Sequence, residues 1–225
     1  MAEPLDRVTL FVPGIAPGTP LALGDQIAHE WVANDGRFAD AFRFGTVGPD
    51  ALARLAAAPG AVVAYAQVDL RAGRAALITA VERLRDAGAI AVRIEQSMLG
   101  WEVARWLALV SSESPWDWHR AAVVVLSGDG ELRSCGMHAF SLPDVRVAID
   151  DDPAALQRFA EALNAYQLAE DPVLRSGQTF RPDEETPRRV IERWPDTGYP
   201  PGHPCHNPYG VWRLGPSGGV GQGVS

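Results

Sequence analysis

The sequence predicts an α/β (α+β) fold: a two-layer sandwich in which helices cover mainly one face of a mixed sheet. The chain has 225 residues, 47% of them hydrophobic, which is enough to bury a sizeable core. A strand, helix, strand succession over residues 61–95 predicts a crossover unit with two parallel strands in one sheet. A hairpin pattern over residues 121–140 adds antiparallel strands. The mixture indicates a mixed-sheet sandwich, for which two similar βαβ-type halves are one possible arrangement. The pattern does not decide whether the halves form one sheet or two.

The N-terminal part of the chain gives shorter patterns. Residues 8–12 form a β-branched and aromatic run closed by Pro-Gly, which is typical of a strand that leads into a loop. Residues 25–34 favour a first helix, and residues 41–46 favour a short strand. Pro49 starts a second helix, which ends before Pro59 because proline cannot continue it.

The middle of the chain has the clearest periodicity. Residues 61–68 form an almost continuous apolar strand, and residues 89–95 form a second one. The helix between them ends at Gly88. Ser97 is expected to cap a further helix that runs to Val110 and is apolar around most of its axis, which predicts burial on more than one side. The periodic apolar positions of the helix between the strands are Leu77, Ala80, Val81 and Leu84.

The second half begins after a predicted loop, "SSESPWDWHR", at residues 111–120. The apolar run "AAVVVL" and the segment "ELRSCGMHAF" flank an Asp-Gly pair, which indicates a tight hairpin. Residues 145–149 favour a third strand, and Asp152-Pro153 starts a helix that ends before Pro172. The segment from Pro172 to "YGVWRL" is rich in proline, glycine and charge.

These elements predict a single globular domain over residues 1–215, made of two halves at about 1–112 and 120–215. The segment 216–225 has too little apolar surface to fold alone, so it is expected to be a flexible Gly-rich tail.

Two stretches of the second half carry a family resemblance. The run "VVVLSGDGELRSCGMHAFSLPDVRV", followed by a helix and "EDPVLRSGQTF", resembles the DUF4261 family of bacterial proteins over about residues 120–182. "GMHAFSLPD" is the most specific part of the match. The resemblance implies a fold and a bacterial origin, and it assigns no catalytic residue, because the family has no established activity.

Charge and composition exclude several function classes. The net charge is −8 and there is no basic run, so a nucleic-acid backbone would be repelled and a basic protein surface attracted. The N-terminus resembles no signal peptide, and no apolar run approaches the roughly 20 residues of a membrane span. We therefore expect a cytoplasmic protein with reduced thiols that binds neither nucleic acid nor membrane.

Cysteine and histidine are concentrated in two segments, "RSCGMHAF" and "GHPCHNPYG". Their five thiol and imidazole groups are enough for a zinc site, which needs four ligands. The spacing argues against one, because a strand sends side chains three positions apart to opposite faces unless the chain bends, here at Gly136. We expect the two segments to dock against each other by packing, without metal or cofactor. The five low-probability metal ligands are Cys135, His138, His203, Cys205 and His206.

Aromatic residues occur in the predicted loop between the two halves and again near the C-terminus. Indole groups in loops are often lids over a core, and an exposed cluster of Trp and Tyr is also typical of a protein-binding hot spot. The sequence thus favours a non-catalytic cytoplasmic protein-binding or accessory module. The alternative is a small metal-dependent or Cys/His hydrolase that uses the two cysteine and histidine clusters. The predicted binding residues are Trp116, Trp118, His119, Tyr209 and Trp212.

Overall fold

A computed structural model describes residues 8–43 and 45–216. The chain divides into two compact units: unit 1 comprises Met1–Val123 and Ala139–Ser141, and unit 2 comprises Val124–His138 and Leu142–Ser225. The predicted mixed α/β class is confirmed, because the described residues contain two mixed sheets of six strands and six α-helices, and no barrel.

Unit 1 contains a sheet in the order β2-β4-β1-β5-β6-β3. All neighbouring pairs of its described strands are antiparallel except β3 and β6. The strands are β1 (Val8–Pro13), β2 (Ile27–Ala33), β3 (Gly45–Thr46), β4 (Gly60–Ala66), β5 (Ala91–Ile94) and β6 (Leu99–Glu102). The helices are α1 (Phe38–Ala41), α2 (Pro49–Ala56), α3 (Arg74–Asp86), α4 (Val103–Ser111) and α5 (Pro115–Ala122).

The predicted crossover unit is present in unit 1 with one strand inserted. Strands β4 and β5 are connected through α3, and each pairs antiparallel with β1, which lies between them. They are therefore parallel to each other in one sheet, as expected, but they share no hydrogen bonds. This insertion could not be predicted from the local pattern, because β1 lies far upstream of both strands.

Three predictions for unit 1 are wrong. Residues 25–34 do not form a helix: β2 pairs with β4 along its whole length, and this tertiary pairing overrides the local helix propensity. The helix expected from Ser97 starts at Val103, because β6 occupies the preceding residues and pairs with β5. The expected loop at 111–120 contains α5, which begins at Pro115. Helix α4 itself is buried on several sides, as predicted.

Unit 2 contains a sheet in the order β10-β11-β12-β9-β8-β7, in which β9 and β12 form the parallel pair. The predicted hairpin (β7–β8), third strand (β9) and long helix (α6) are confirmed. The Asp152 carboxylate caps α6 by accepting hydrogen bonds from two amides of its first turn. The elements are β7 (Val124–Gly128), β8 (Glu131–Cys135), β9 (Asp144–Ala148), α6 (Pro153–Glu170), β10 (Thr179–Phe180), β11 (Arg189–Trp194) and β12 (Val211–Leu214). A 3₁₀ helix (Met137–Phe140) begins in unit 2 with Met137 and His138.

The core of unit 2 lies between α6 and its sheet. The apolar face of α6, with Leu156, Phe159 and Leu163, packs on Val145 and Val147 of β9. The sequence missed β11, because only two of its six residues are buried and three carry charge. The prediction of a flexible tail at 216–225 falls almost entirely outside the described residues. Within the part of the chain that the structure describes, no helix has the length and apolar character needed to cross a bilayer.

Candidate functional site

The first segment rich in cysteine and histidine bends at Gly136. Strand β8 ends at Cys135, Gly136 adopts a φ of +121°, and the 3₁₀ helix that follows carries His138. A residue with a side chain rarely adopts this φ, so glycine is the residue type that permits the turn. Because the strand ends at this bend, Cys135 and His138 need not point to opposite faces of a sheet. The sequence indicated Gly136 as the position where such a bend could occur.

The two segments dock against each other within unit 2, which confirms that prediction. His138 Nε2 lies 2.9 Å from the carbonyl oxygen of Pro204, and Cys135 Sγ lies 4.0 Å from the carbonyl oxygen of Cys205. Both thiols are buried, with Cys135 0% and Cys205 4% exposed. We call Cys135, His138, Asp144 and Cys205 the thiol cluster.

Asp144, at the start of β9, holds the thiol cluster together. Its carboxylate is fully buried and accepts hydrogen bonds from Ser134 Oγ at 3.1 Å, from the amide of Met137 at 3.1 Å and from Asn207 Nδ2 at 2.7 Å. These donors come from β8, the 3₁₀ helix and the C-terminal segment. Charged acceptors make the stronger hydrogen bonds, so a single carboxylate ties three parts of unit 2 together.

His138 faces both the carboxylate and the C-terminal segment. Its Nε2–H donates to Pro204, because a carbonyl oxygen can only accept. Its Nδ1 lies 3.8 Å from Asp144 Oδ2 and is buried without a hydrogen-bond partner among the described residues. The ring is therefore fixed in orientation by one nitrogen, while the other points toward the buried carboxylate.

The two thiols differ in their electrostatic environment. The hydrogen bond that the Cys135 thiol donates to Cys205, together with burial, raises the pKa of Cys135 far above the usual range of a thiol. The hydrogen bond with Cys135 lowers the pKa of Cys205, and His138 and Arg133 lower it further by electrostatic attraction, against the effect of burial. Cys205 is therefore the thiol of the pair that loses its proton more readily, with the Cys135 thiol as the donor of the hydrogen bond between them.

A second buried carboxylate, Asp196, fixes the C-terminal segment next to the thiol cluster. It accepts hydrogen bonds from the amides of Gly198 and Asn207, both at 2.9 Å. Arg133 Nη2 lies 3.5 Å and His206 Nδ1 lies 3.8 Å from its Oδ2 atom. Because Asn207 also donates to Asp144, the two carboxylates hold this segment from both sides.

The remaining histidines serve the local structure of the segment. The His203 ring stacks on Tyr199, with ring centroids 4.5 Å apart, and its Nδ1 accepts a hydrogen bond from the amide of Cys205. His206 Nδ1 contacts the carbonyl oxygen of Tyr199 at 3.0 Å. The five candidate metal ligands thus do not converge. Within residues 8–43 and 45–216, no group of three or more His, Cys, Asp or Glu side chains is arranged to hold a metal ion.

Three of the five predicted binding residues lie on α5 in unit 1. Trp116 is 49% exposed, whereas Trp118 is half-buried and His119 is 4% exposed. The rings of Trp116 and His119 contact edge-on, with centroids 6.5 Å apart. Trp116 is thus the member of this group that presents a large apolar surface to solvent.

The other two predicted binding residues lie in unit 2. Trp212 on β12 is 4% exposed and belongs to the apolar core, and its Nε1–H donates to Gln167 Oε1 at 3.0 Å. Tyr209 is half-buried, and its amide donates to Asn207 Oδ1 at 2.9 Å. Trp212 therefore stabilises the core of unit 2 and is not available to a partner. Tyr209 leaves part of its side chain exposed to solvent.

Three residues of the site were not predicted from the sequence: Arg133, Asp144 and Asp196. One signal was present for Asp144, because it directly precedes the predicted strand that begins with "VRV". A carboxylate at such a position is buried only where it has partners. Asp196 and Arg133 gave no comparable signal, because neither residue precedes an apolar run. Their roles depend on contacts between segments more than 60 residues apart.

The fold and the site define an α/β protein with a buried pair of cysteines between a hairpin and a C-terminal segment. The family model described as "Domain of unknown function (DUF4261)" matches residues 133–202, which confirms the resemblance to the DUF4261 family. The match includes Cys135, His138 and Asp144 and ends before Cys205. No curated protein and no solved structure is significantly similar to the chain.

Proposed function

We propose that the chain is a non-catalytic bacterial protein-binding module that acts in the cytoplasm, and that Trp116 anchors its contact with a basic protein. The observation that carries the proposal is the 49% exposure of Trp116 on α5. Exposed indole groups are enriched at binding hot spots, because they bury a large area with few rotatable bonds.

The anchor stands on a rigid support. Trp118 Nε1–H donates to the carbonyl oxygen of Ser112 at 2.6 Å, and Arg74 Nη1–H donates to the same oxygen at 2.8 Å. The Arg74 guanidinium also lies 4.1 Å from the centroid of the Trp118 ring. These contacts fix α5 against the end of α4, so binding through Trp116 requires little ordering of the backbone.

The charge around the anchor favours a basic partner. Glu113 is exposed and Asp117 is half-buried, and they flank Trp116 in sequence. Asp117 also faces Arg120 at 3.5 Å, an exposed pair of small net energy. The whole chain has a net charge of −8. An arginine or lysine of the partner would bind the exposed indole face and these carboxylates together.

The hydrolase alternative has less support. A thiol nucleophile must contact its substrate, yet Cys135 is 0% and Cys205 is 4% exposed. The Nε2–H group of His138 is bonded to Pro204, which removes this nitrogen as a base for a substrate proton. We therefore favour the binding module.

The test begins with affinity capture from the source organism and identification of an enriched basic protein, which is then purified. Its affinity for the full chain is measured by isothermal titration calorimetry. We expect Trp116→Ala to weaken binding by about 2 kcal/mol, or about thirtyfold. We also expect Glu113→Gln with Asp117→Asn to weaken binding and to reduce its dependence on salt.

Trp194→Ala is the matched control, because Trp194 is 47% exposed and lies on β11 in unit 2. This variant should bind like the wild type. Equal affinity of Trp116→Ala and wild type for the purified partner would overturn the proposal, and so would binding that is insensitive to salt and to both carboxylates.

A further inference from the structure

We infer that Cys135 and Cys205 form a reversible disulfide when a small hydroperoxide oxidises Cys205, with Cys135 as the resolving thiol. This inference goes beyond the proposed binding function and rests on the thiol cluster of unit 2. Trp116 belongs to unit 1, so each proposal can fail without the other.

The geometry brings two distant thiols together. Cys135 and Cys205 are 70 positions apart, and yet Cys135 Sγ lies 4.0 Å from the carbonyl oxygen of Cys205. The two side chains also share a hydrogen bond. Each thiol is positioned by its own anchors: Cys135 ends a paired strand, and the segment of Cys205 is held by Asp144 and Asp196 through Asn207. A covalent bond can therefore form without separating these elements.

The environment distinguishes the two sulfur atoms. The nucleophile in thiol oxidation is the thiolate. The Cys135 thiol, together with His138 and Arg133, lowers the pKa of Cys205, while burial and the shared hydrogen bond raise the pKa of Cys135. Cys205 is also the more exposed of the two, at 4% against 0% for Cys135, so it is the thiol that reacts first. Cys135 reacts second, as the neighbouring thiol that resolves the oxidised sulfur of Cys205.

The chemistry balances in two steps. The Cys205 thiolate attacks one oxygen of hydrogen peroxide, the O–O bond breaks, and an S–O bond forms; the departing hydroxide takes up a proton and becomes water. The Cys135 thiol then attacks the sulfenic acid of Cys205, so an S–S bond forms and the S–O bond breaks. The thiol proton leaves with the hydroxyl group as a second water. Two thiols are oxidised to one disulfide, and one peroxide is reduced to two waters.

The burial of both thiols determines which oxidants can reach them. Cys205 is 4% exposed and Cys135 is 0% exposed, so a bulky disulfide cannot approach the sulfur of Cys205 in line without opening the segment. A small hydroperoxide needs much less space. The exposure therefore favours hydrogen peroxide over oxidised glutathione as the direct oxidant.

The experiment treats the reduced full chain with stoichiometric hydrogen peroxide and, in a separate arm, with oxidised glutathione. We expect peroxide to remove both free thiols and the mass to fall by two hydrogen atoms. Peptide mapping should find Cys135 linked to Cys205, and dithiothreitol should reverse the change. The thermal midpoint should rise by several degrees, because the cross-link restricts a long loop of the unfolded chain. Oxidised glutathione should react much more slowly.

Variants assign the roles of the two thiols. Cys135→Ala should accumulate a sulfenic acid on Cys205 that a dimedone probe labels, and Cys205→Ala should oxidise about tenfold more slowly than Cys135→Ala. If either variant fails to fold, a brief dimedone quench of the wild type during oxidation should label the Cys205 peptide. Label on Cys135 first would overturn the assignment. Thiols that resist peroxide until the chain is unfolded would overturn the inference as a whole, and so would faster reaction with oxidised glutathione than with peroxide.

Discussion

Replacing Asp144 with alanine should be among the most damaging single changes in unit 2. The carboxylate is fully buried and accepts hydrogen bonds from Ser134, Met137 and Asn207. Alanine removes the acceptor and leaves the donors in place. The prediction concerns the free energy of unfolding, because buried donors without acceptors carry a full desolvation cost.

The magnitude follows from which donors lose their acceptor. Asn207 Nδ2 keeps a second acceptor, the carbonyl oxygen of Leu142 at 3.0 Å. The amide of Met137 and the hydroxyl of Ser134 have Asp144 Oδ1 as their acceptor. Two orphaned donors at about 1 to 3 kcal/mol each predict a loss of about 4 kcal/mol for Asp144→Ala. Asp144→Asn keeps an oxygen for both donors and should lose only about 1 to 2 kcal/mol.

The assay is urea unfolding of each variant, followed by circular dichroism. The matched control is Asp183→Ala, because Asp183 also accepts three hydrogen bonds, from the amide of Glu185 and from the amide and hydroxyl of Thr186, but it is exposed. The midpoint of this control should change little. If the midpoint of Asp144→Ala lies as close to the wild type as that of the control, the buried carboxylate does not stabilise unit 2 in this way.

Three further changes test other parts of the structure. Trp212→Phe should lower the free energy of unfolding by about 1 to 3 kcal/mol in urea unfolding, because it leaves the buried Gln167 carbonyl without its 3.0 Å donor. Met98 has a φ of 58°, so Met98→Gly should raise the thermal midpoint slightly; the relieved strain exceeds the added entropy of the unfolded chain by about 0.5 kcal/mol. Thiolate absorbance of reduced wild type should begin to rise at a lower pH than that of a free cysteine, because the pKa of Cys205 is lowered by its hydrogen bond with Cys135. Cys135→Ala removes the hydrogen-bond donor and should move this titration to higher pH, whereas an unchanged midpoint would contradict the shared hydrogen bond.

Elements with strong local signals were predictable from sequence. The strand-helix-strand unit of β4, α3 and β5 and the helix α6 have long apolar runs or clear helical spacing, and the β7–β8 hairpin has an Asp-Gly turn. In each case the local preference agrees with the tertiary environment, so the pattern alone was sufficient.

Strands β2 and β6 were not predictable from the sequence. Four of the seven residues of β2 are exposed in an unbroken run, so the alternation that identifies a strand is absent. Strand β6 has only four residues and leads directly into α4, which hides it within a helical pattern. Gly100 was an available signal: a Cβ there would lie 2.5 Å from the Phe42 ring, a close approach that glycine permits.

The candidate site was predictable only in part. The concentration of cysteine and histidine in two segments predicted that they dock, and Gly136 predicted the bend between Cys135 and His138. The roles of Asp144 and Asp196 were not predictable, because their hydrogen-bond partners come from other segments of the fold. No local sequence pattern identifies such partners.

The site depends on the docking of the two segments into one buried cluster, which the carboxylates of Asp144 and Asp196 hold together. Amide hydrogen exchange of Met137 and Asn207 tests it most directly, because these amides donate to Asp144 at 3.1 Å and to Asp196 at 2.9 Å. If the segments dock in this way, both amides should exchange as slowly as those of strand β8. Exchange of the Asn207 amide as fast as that of the exposed Gly202 would contradict it.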